Sequence, residues 1–203
     1  MRPKRLISLL VAVCMMITML PLSAVTAFAE DTSSSTEHEI SVGDYKYEYT
    51  INTADGTATI TKFRALVDGS YDITIPTDFG RFPVTAIGDD AFRGCSALKK
   101  VTIPQSVTSI GDSAFAGCHN LDSVTINDAA TSIGNRAFTE CPLTTTLSLG
   151  KKITTIGDEA FYDCRVLTSV TIPPSVTSIG KKAFLQCIHL KTLSFGENIK
   201  TNI

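Results

Sequence analysis

The sequence predicts a repeat solenoid, built mainly of short parallel β-strands joined by short helical turns, with a β-hairpin cap at its N-terminal end. Three observations carry this. The pattern I-G-x-x-A-F-x-x-C-x-x-L-x-x-V-T-I returns every 23 residues. Phenylalanine falls in strict phase at Phe92, Phe115, Phe138, Phe161 and Phe184, and cysteine at Cys95, Cys118, Cys141, Cys164 and Cys187. The pair Ile-Gly returns in the same phase from Ile87-Gly88 to Ile179-Gly180. A fixed period of this size marks a stack of coils, none of which can bury its apolar side alone.

In chain order, Arg2, Lys4 and Arg5 precede an apolar run from Leu6 to Leu22, and Ala27-Phe28-Ala29 is a small-x-small cleavage site. Residues 1–29 therefore read as a secretory signal peptide. Cleavage would remove Cys14 and leave 15 basic and 20 acidic residues, a net charge of −5. That balance argues against nucleic acid or an anionic membrane as partner. No second apolar span follows, so no membrane span is expected in the mature chain. Residues 30–43 are rich in Ser, Thr and acidic side chains and are expected to be a disordered leader.

Residues 44–86 are assigned to the cap and a degenerate first coil. Tyr45 to Ile51 alternates apolar with polar, the period of a half-buried strand. Asn52 to Gly56 carries turn chemistry, and Thr57 to Phe63 reads as a second strand. Such a hairpin would close the end of the stack, where a bare coil would expose core and an unpaired edge. Ile73-Thr74-Ile75-Pro76 matches the later Val101-Thr102-Ile103-Pro104. The longer link to Ile87 holds Phe79, Arg81 and Phe82, residue types enriched at binding hot spots. The competing reading, which the rarity of free aromatic pairs favours, folds both rings over the cap as packing.

Residues 87–203 hold five repeats, the last incomplete. Val101 and Ile103 face one side of a strand and Thr102 the other. Pro104 ends the strand, and Gly111 permits a tight bend. The column Asp89, Asp112, Asn135, Asp158, Lys181 supplies four side chains suited to cap a short helical turn through an amide one turn on. A calcium site is disfavoured, with one carboxylate per coil and a lysine in the column. The phenylalanines form an internal spine at the strand spacing of about 4.8 Å. Stacked cysteines would keep parallel Cα–Cβ vectors, so their Cβ atoms stay about 5 Å apart, beyond the roughly 3.5–4.5 Å of a disulfide. Buried free thiols are expected instead. The third repeat departs from the pattern, since Leu143 comes one place early and Thr144 stands where Leu98, Leu121, Leu167 and Leu190 stand elsewhere. Asn127-Asp128-Ala129-Ala130 replaces Pro-x-Ser-Val in the second and reads as a tolerated irregularity.

The repeat L-x-x-V-T-I-P-x-S-V-T-x-I-G-x-x-A-F-x-x-C resembles the BspA-like leucine-rich repeats of bacterial surface proteins. The resemblance covers roughly Ile73 to Ile199 and implies a right-handed solenoid. Members are mostly exported, and some are implicated in adhesion to host matrix proteins, in coaggregation and in host-cell contact. The resemblance thus implies a secreted or cell-surface interaction or adhesion module whose partner is a protein, with no catalytic residue to carry over.

The residues agree with a non-enzyme. His38, His119 and His189 form no metal pair, and the sequence holds no phosphate-binding glycine loop, G-x-S-x-G or H-E-x-x-H. No cofactor is expected. What remains is a surface of outward strand positions: Lys100, Ser123, Thr146 and Ser169 in one column, Thr102, Thr125, Ser148 and Thr171 in the other. This hydroxyl-rich ribbon is either a shallow contact surface for an extended partner or a solvated sheet face whose threonines suit β-structure. An alternative function is a glycan-binding or spacer module of a larger secreted or wall-anchored protein. The stop at Ile203 in mid-coil suggests self-association through an uncapped end.

Overall fold

The computed structural model describes residues 37–66, 68–143 and 146–195. The expected signal peptide, with Cys14, lies outside the described residues, as do Thr144 and the last eight positions of the fifth repeat.

The cap is three antiparallel strands rather than two: β1 (Glu37–Val42), β2 (Tyr45–Asn52) and β3 (Thr57–Ala65). The expectation of a disordered leader over 30–43 is therefore wrong for its second half. Val42 pairs with Tyr45 across Gly43-Asp44, with Gly43 at φ +60, so a tight turn folds Glu37–Val42 onto β2. The His38 ring stacks on Tyr49, and Glu39 meets Lys46 Nζ at 2.6 Å. Polar composition concealed a strand whose partner supplies the apolar surface.

After the cap the chain winds in coils. β4 (Tyr71–Thr74), β5 (Asp78–Phe79) and β6 (Phe82–Ile87) belong to the degenerate coil. β7 (Leu98–Thr102) and β8 (Ser109–Ile110), then β9 (Ser123–Thr125) and β10 (Ser132–Ile133), follow. β11 (Thr146–Ser148), β12 (Thr155–Ile156), β13 (Ser169–Ile172), β14 (Ser178–Ile179) and β15 (Thr192–Phe195) complete the series. One sheet runs β1-β2-β3-β6-β8-β10-β12-β14, with β5 pairing β6, and is parallel from β3 onward. Two smaller parallel sheets are β4-β7-β9 and β11-β13-β15.

Among the described residues no segment is helical, so the expected short helical turns are replaced by another geometry. The backbone N–H of Phe92, Phe115, Phe138 and Phe161 donates to the carbonyl of Ala114, Ala137, Ala160 and Ala183, at 2.7–2.8 Å. Each amide reaches across to the next coil instead of back along its own chain. Asp90, Ser113, Arg136, Glu159 and Lys182 all sit at φ 54–59 to make this possible, in the left-handed region that costs a side-chain-bearing residue about 1–2 kcal/mol.

The spine is continuous. Successive rings from Phe92 to Phe184 stand 4.8–5.4 Å apart at 3–15° to one another. Phe63 of the cap extends it, stacked on Phe92 at 4.8 Å. The glycine column has a different reason from the bend expected of it. Gly111 and Gly134 do not adopt positive φ, but a Cβ on Gly134 would lie 2.5 Å from Asp112 Oδ1 and 2.7 Å from its backbone nitrogen. Coil-to-coil contact, not turn geometry, excludes a side chain there.

Candidate interaction surface

The outward columns are positioned by strand register. Lys100 pairs with Ser123 and Thr102 with Thr125 on β7 and β9. Thr146 pairs with Ser169, and Ser148 with Thr171, on β11 and β13. Pro104 and the buried Val101 and Ile103 hold these hydroxyls outward. Ser194 Oγ donates to Thr171 Oγ1 at 3.3 Å, continuing the second column. The ribbon is not continuous, however. Among the described residues β9 and β11 do not pair, so the positions fall into two patches, Lys100, Thr102, Ser123 and Thr125 in one and Thr146, Ser148, Ser169 and Thr171 in the other.

Phe79, Arg81 and Phe82 do not form an exposed anchor. Phe79 is only 4% exposed and packs on Tyr49 at 4.5 Å and Tyr47 at 5.6 Å. Phe82 pairs with it across a two-residue turn and is half-buried, with the Arg81 guanidinium 4.9 Å over its ring. The packing alternative describes the aromatic pair, and Arg81 alone of the three faces solvent.

A second hydroxyl row went unread in the sequence. Thr108, Thr131, Thr154 and Thr177 each donate both backbone N–H and Oγ1–H to the carbonyl of the threonine one coil earlier, Thr85 to Thr154. The N–H bonds are 2.7–2.8 Å and the hydroxyl bonds 3.0–3.2 Å. The signal was present as an unbroken threonine column in the same 23-residue phase. These side chains are exposed, with Ser109, Ser132, Thr155 and Ser178 beside them.

Comparison with known proteins gives the lineage. Residues 85–202 match the family described as "BspA type Leucine rich repeat region", in six copies. The chain belongs to the BspA-type leucine-rich repeat family. A leucine-rich repeat protein of T. pallidum, solved by crystallography, is 30% identical over 72% of this chain and 67% of its own, with a TM-score of 0.68. One from Bacteroides capillosus is 30% identical over 78% of this chain and 98% of its own, with a TM-score of 0.51. A third, from Bacteroides ovatus, is 22% identical with a TM-score of 0.51, and this chain spans 54% of it; it shares the fold. No curated protein matches the sequence.

In this BspA-type stack the side chains with chemical potential are mostly spent on holding coils together. The five repeat cysteines are free. Sγ of Cys118, Cys141, Cys164 and Cys187 donates to the carbonyl of Phe92, Phe115, Phe138 and Phe161, at 3.0–3.3 Å. The thiol–thiol contact with Cys118, then burial, pushes the Cys141 thiol up, and contact with Cys187, then burial, does the same to Cys164. Burial, with Cys118 adding, pushes Cys95 up to about 12. Such thiols are poor nucleophiles, because the thiolate is the reactive form.

The acidic column caps the neighbouring coil rather than its own turn. Asp89, Asp112, Asn135 and Asp158 each present Oδ1 to the backbone N–H of the next member, at 2.6–2.8 Å. Asp112, Ser113, Asn135, Arg136, Asp158 and Glu159 line an open cleft of about 310 Å³. Arg136 Nε pairs with Glu159 there at 2.8 Å, and the carboxylates of Asp112 and Asp158 accept backbone N–H bonds from Asn135 and Lys181. Among the described residues no group of three or more His, Cys, Asp or Glu is placed to hold a metal. Asn127 is the buried polar exception in the core. Its Nδ2 donates to the carbonyls of Pro104 and Val107, and its Oδ1 accepts from Ala129 and Ala130, all within 2.6–2.9 Å. The departure from Pro-x-Ser-Val is thus a built turn, not a tolerated irregularity. Among the described residues no helix is long and apolar enough to cross a membrane.

Proposed function

We propose that this protein is an exported, non-enzymatic interaction module that binds another protein at the bacterial cell surface, including host matrix or cell-surface proteins. The observation that supports this best is the division of labour along the stack. Acids, thiols and the buried amide are engaged between coils, while the hydroxyls of Thr102, Thr125, Ser148 and Thr171 stand outward on short flat strands. An array without dense charge suits an extended polypeptide, whose polar groups meet hydroxyls that donate and accept equally. Family membership and the secretory signal read at residues 1–29 agree with it.

The test is binding of the secreted form to a panel of matrix proteins, epithelial cells and neighbouring bacteria, read by interferometry or adhesion counts. The expected result is a saturable ligand whose affinity falls at least tenfold in Thr125→Lys or Thr171→Lys and is unchanged in Thr154→Lys. No ligand above background across the panel overturns the reading. Retention on a polysaccharide array with no protein ligand would instead favour a glycan-binding module.

A further inference from the structure

The stack carries a seam. Strand pairing runs unbroken through β4-β7-β9 and through β11-β13-β15, yet is missing between β9 and β11 among the described residues. Three more observations meet at that place. Leu98, Leu121, Leu167 and Leu190 donate their N–H to the cysteine three residues back, whereas Leu143 donates to Cys141, two back, at 2.8 Å. Leu143 thereby enters the core one position early and is buried, which leaves one residue too many before β11. Ile75 and Ile103 donate their N–H to Thr102 and Thr125 on the next coil, both at 3.0 Å. The buried Ile126 makes no such bond to Ser148, and Leu149 makes none to Thr171 although β11 and β13 pair there, so at Ile126 alone both this bond and the strand pairing beside it are missing. Val124 is half-buried, where Val101, Leu147 and Val170 in the same column are at most 3% exposed.

Across the seam, contact persists through the spine and the outer rows. Phe138 and Phe161 stack at 5.4 Å, Phe138 N–H reaches Ala160 and Thr154 N–H reaches Thr131, both at 2.8 Å. The loss is one of the three rows that join every other pair of coils.

We infer that the solenoid yields at this seam: residues up to Cys141 form one cooperative unit, residues from Thr146 a second, and the second opens while the first stays folded. In a linear stack the stability is close to a sum of nearest-neighbour interfaces, so partial opening falls at the weakest one. The cause assigned is the early Leu143, a single-position slip in one repeat. The two hydroxyl patches lie on opposite sides of the seam, so their relative placement follows its opening. The inference stands apart from the binding reading and is tested without a ligand.

The experiment is native-state hydrogen exchange on the full chain. The Ile126 amide is expected to exchange at least tenfold faster than that of Ile103. Amides bonded within the C-terminal unit, such as Phe161 to Ala183 and Gly180 to Ile156, share one opening rate. Amides within the N-terminal unit, such as Phe92 to Ala114 and Gly111 to Ile87, share a slower one. Simple fraying from the end would give a rate graded coil by coil, and that result overturns the seam, as does an Ile126 amide protected like Ile103. The double variant Leu143→Ser with Thr144→Leu restores the leucine column and is expected to erase the step between the units. A step that survives in that variant overturns the assigned cause.

Discussion

Asp112 Oδ1 accepts the backbone N–H of Asn135 at 2.7 Å, one full coil further along the chain, while its Oδ2 accepts Asn135 Nδ2 at 3.0 Å. One carboxylate therefore fastens two coils. Asp112→Ala should cost about 1.5–3 kcal/mol, the range for a hydrogen bond to a charged group. Asp112→Asn keeps an oxygen on the Asn135 N–H, as Asn135 does toward Asp158 at 2.8 Å, but turns its NH2 onto the Asn135 Nδ2 donor and loses the second bond, so it should cost about 0.5–1.5 kcal/mol, less than Asp112→Ala. Urea unfolding midpoints of the two variants check this.

The spine predicts a graded response. Phe138 is fully buried between two stacked neighbours, so Phe138→Ala should lose about 3–5 kcal/mol. Phe184 is half-buried and stacks on Phe161 from one side in the described residues, so its truncation should cost less. Thermal unfolding of both variants gives the comparison, and equal losses would contradict a spine loaded from both sides.

Two glycines should behave differently for different reasons. Gly134→Ala drives a Cβ to 2.6 Å from the Gly111 carbonyl carbon, which is backbone and cannot swing away. A loss of about 2 kcal/mol or more is expected, in the range of overpacking. Gly117 has no atom nearer than 3.9 Å but sits at φ +70, so Gly117→Ala should cost only about 1 kcal/mol. The equivalent positions Glu140 and Asp163 already carry side chains at φ +60, which makes the milder effect directly comparable.

Stability should fall at alkaline pH. Burial, with Cys118 adding, raises the Cys95 thiol from 9.0 to about 12. Burial, then Cys95, Cys118 and Tyr45, raises the Tyr71 phenol from 10.0 to about 12. The unfolded chain releases these protons first, so the stabilising contribution is complete below about pH 9 and is lost as the pH rises toward 12. Tm should be level from neutral pH to about 8.5 and then decline. Cys95→Ala should flatten the first part of that decline.

Asn127 offers the sharpest single substitution. Asn127→Leu removes both donors and the acceptor, leaving Pro104, Val107, Ala129 and Ala130 with lost partners in a buried turn. A loss of about 2–4 kcal/mol is expected from groups left unsatisfied. Circular dichroism with chemical denaturation reads it, and an unchanged midpoint would mean water replaces the amide without cost.

Much of this architecture was legible because period and phase are properties of the chain itself. The columns of Phe92 and Cys95 announced what is buried, and the alternation at Val101-Thr102-Ile103 announced which side faces out. What stayed hidden was direction. A column shows that Asp89, Asp112 and Asn135 are stacked, but not whether each oxygen serves its own turn or the next coil. Phe63 joins the spine from 29 residues before Phe92, outside the period, so no repeat arithmetic finds it. The surface was least legible: alternation along β7 and β9 turns Thr102 and Thr125 outward, yet the break after β9 arises from the surplus residue that one early leucine leaves before β11, and Phe79 is packed by cap tyrosines that no local pattern connects to it.

The rows of amides point in opposing directions. In the turns, Phe92 N–H is aimed at the following coil, at Ala114. At the corners, Thr131 N–H is aimed at the preceding one, at Thr108. An α-helix aligns every peptide dipole and accumulates about half a charge at each end. Here the two rows oppose, so lengthening the array adds reach without polarising its tips, and the number of repeats can drift in evolution with no electrostatic penalty that grows with length.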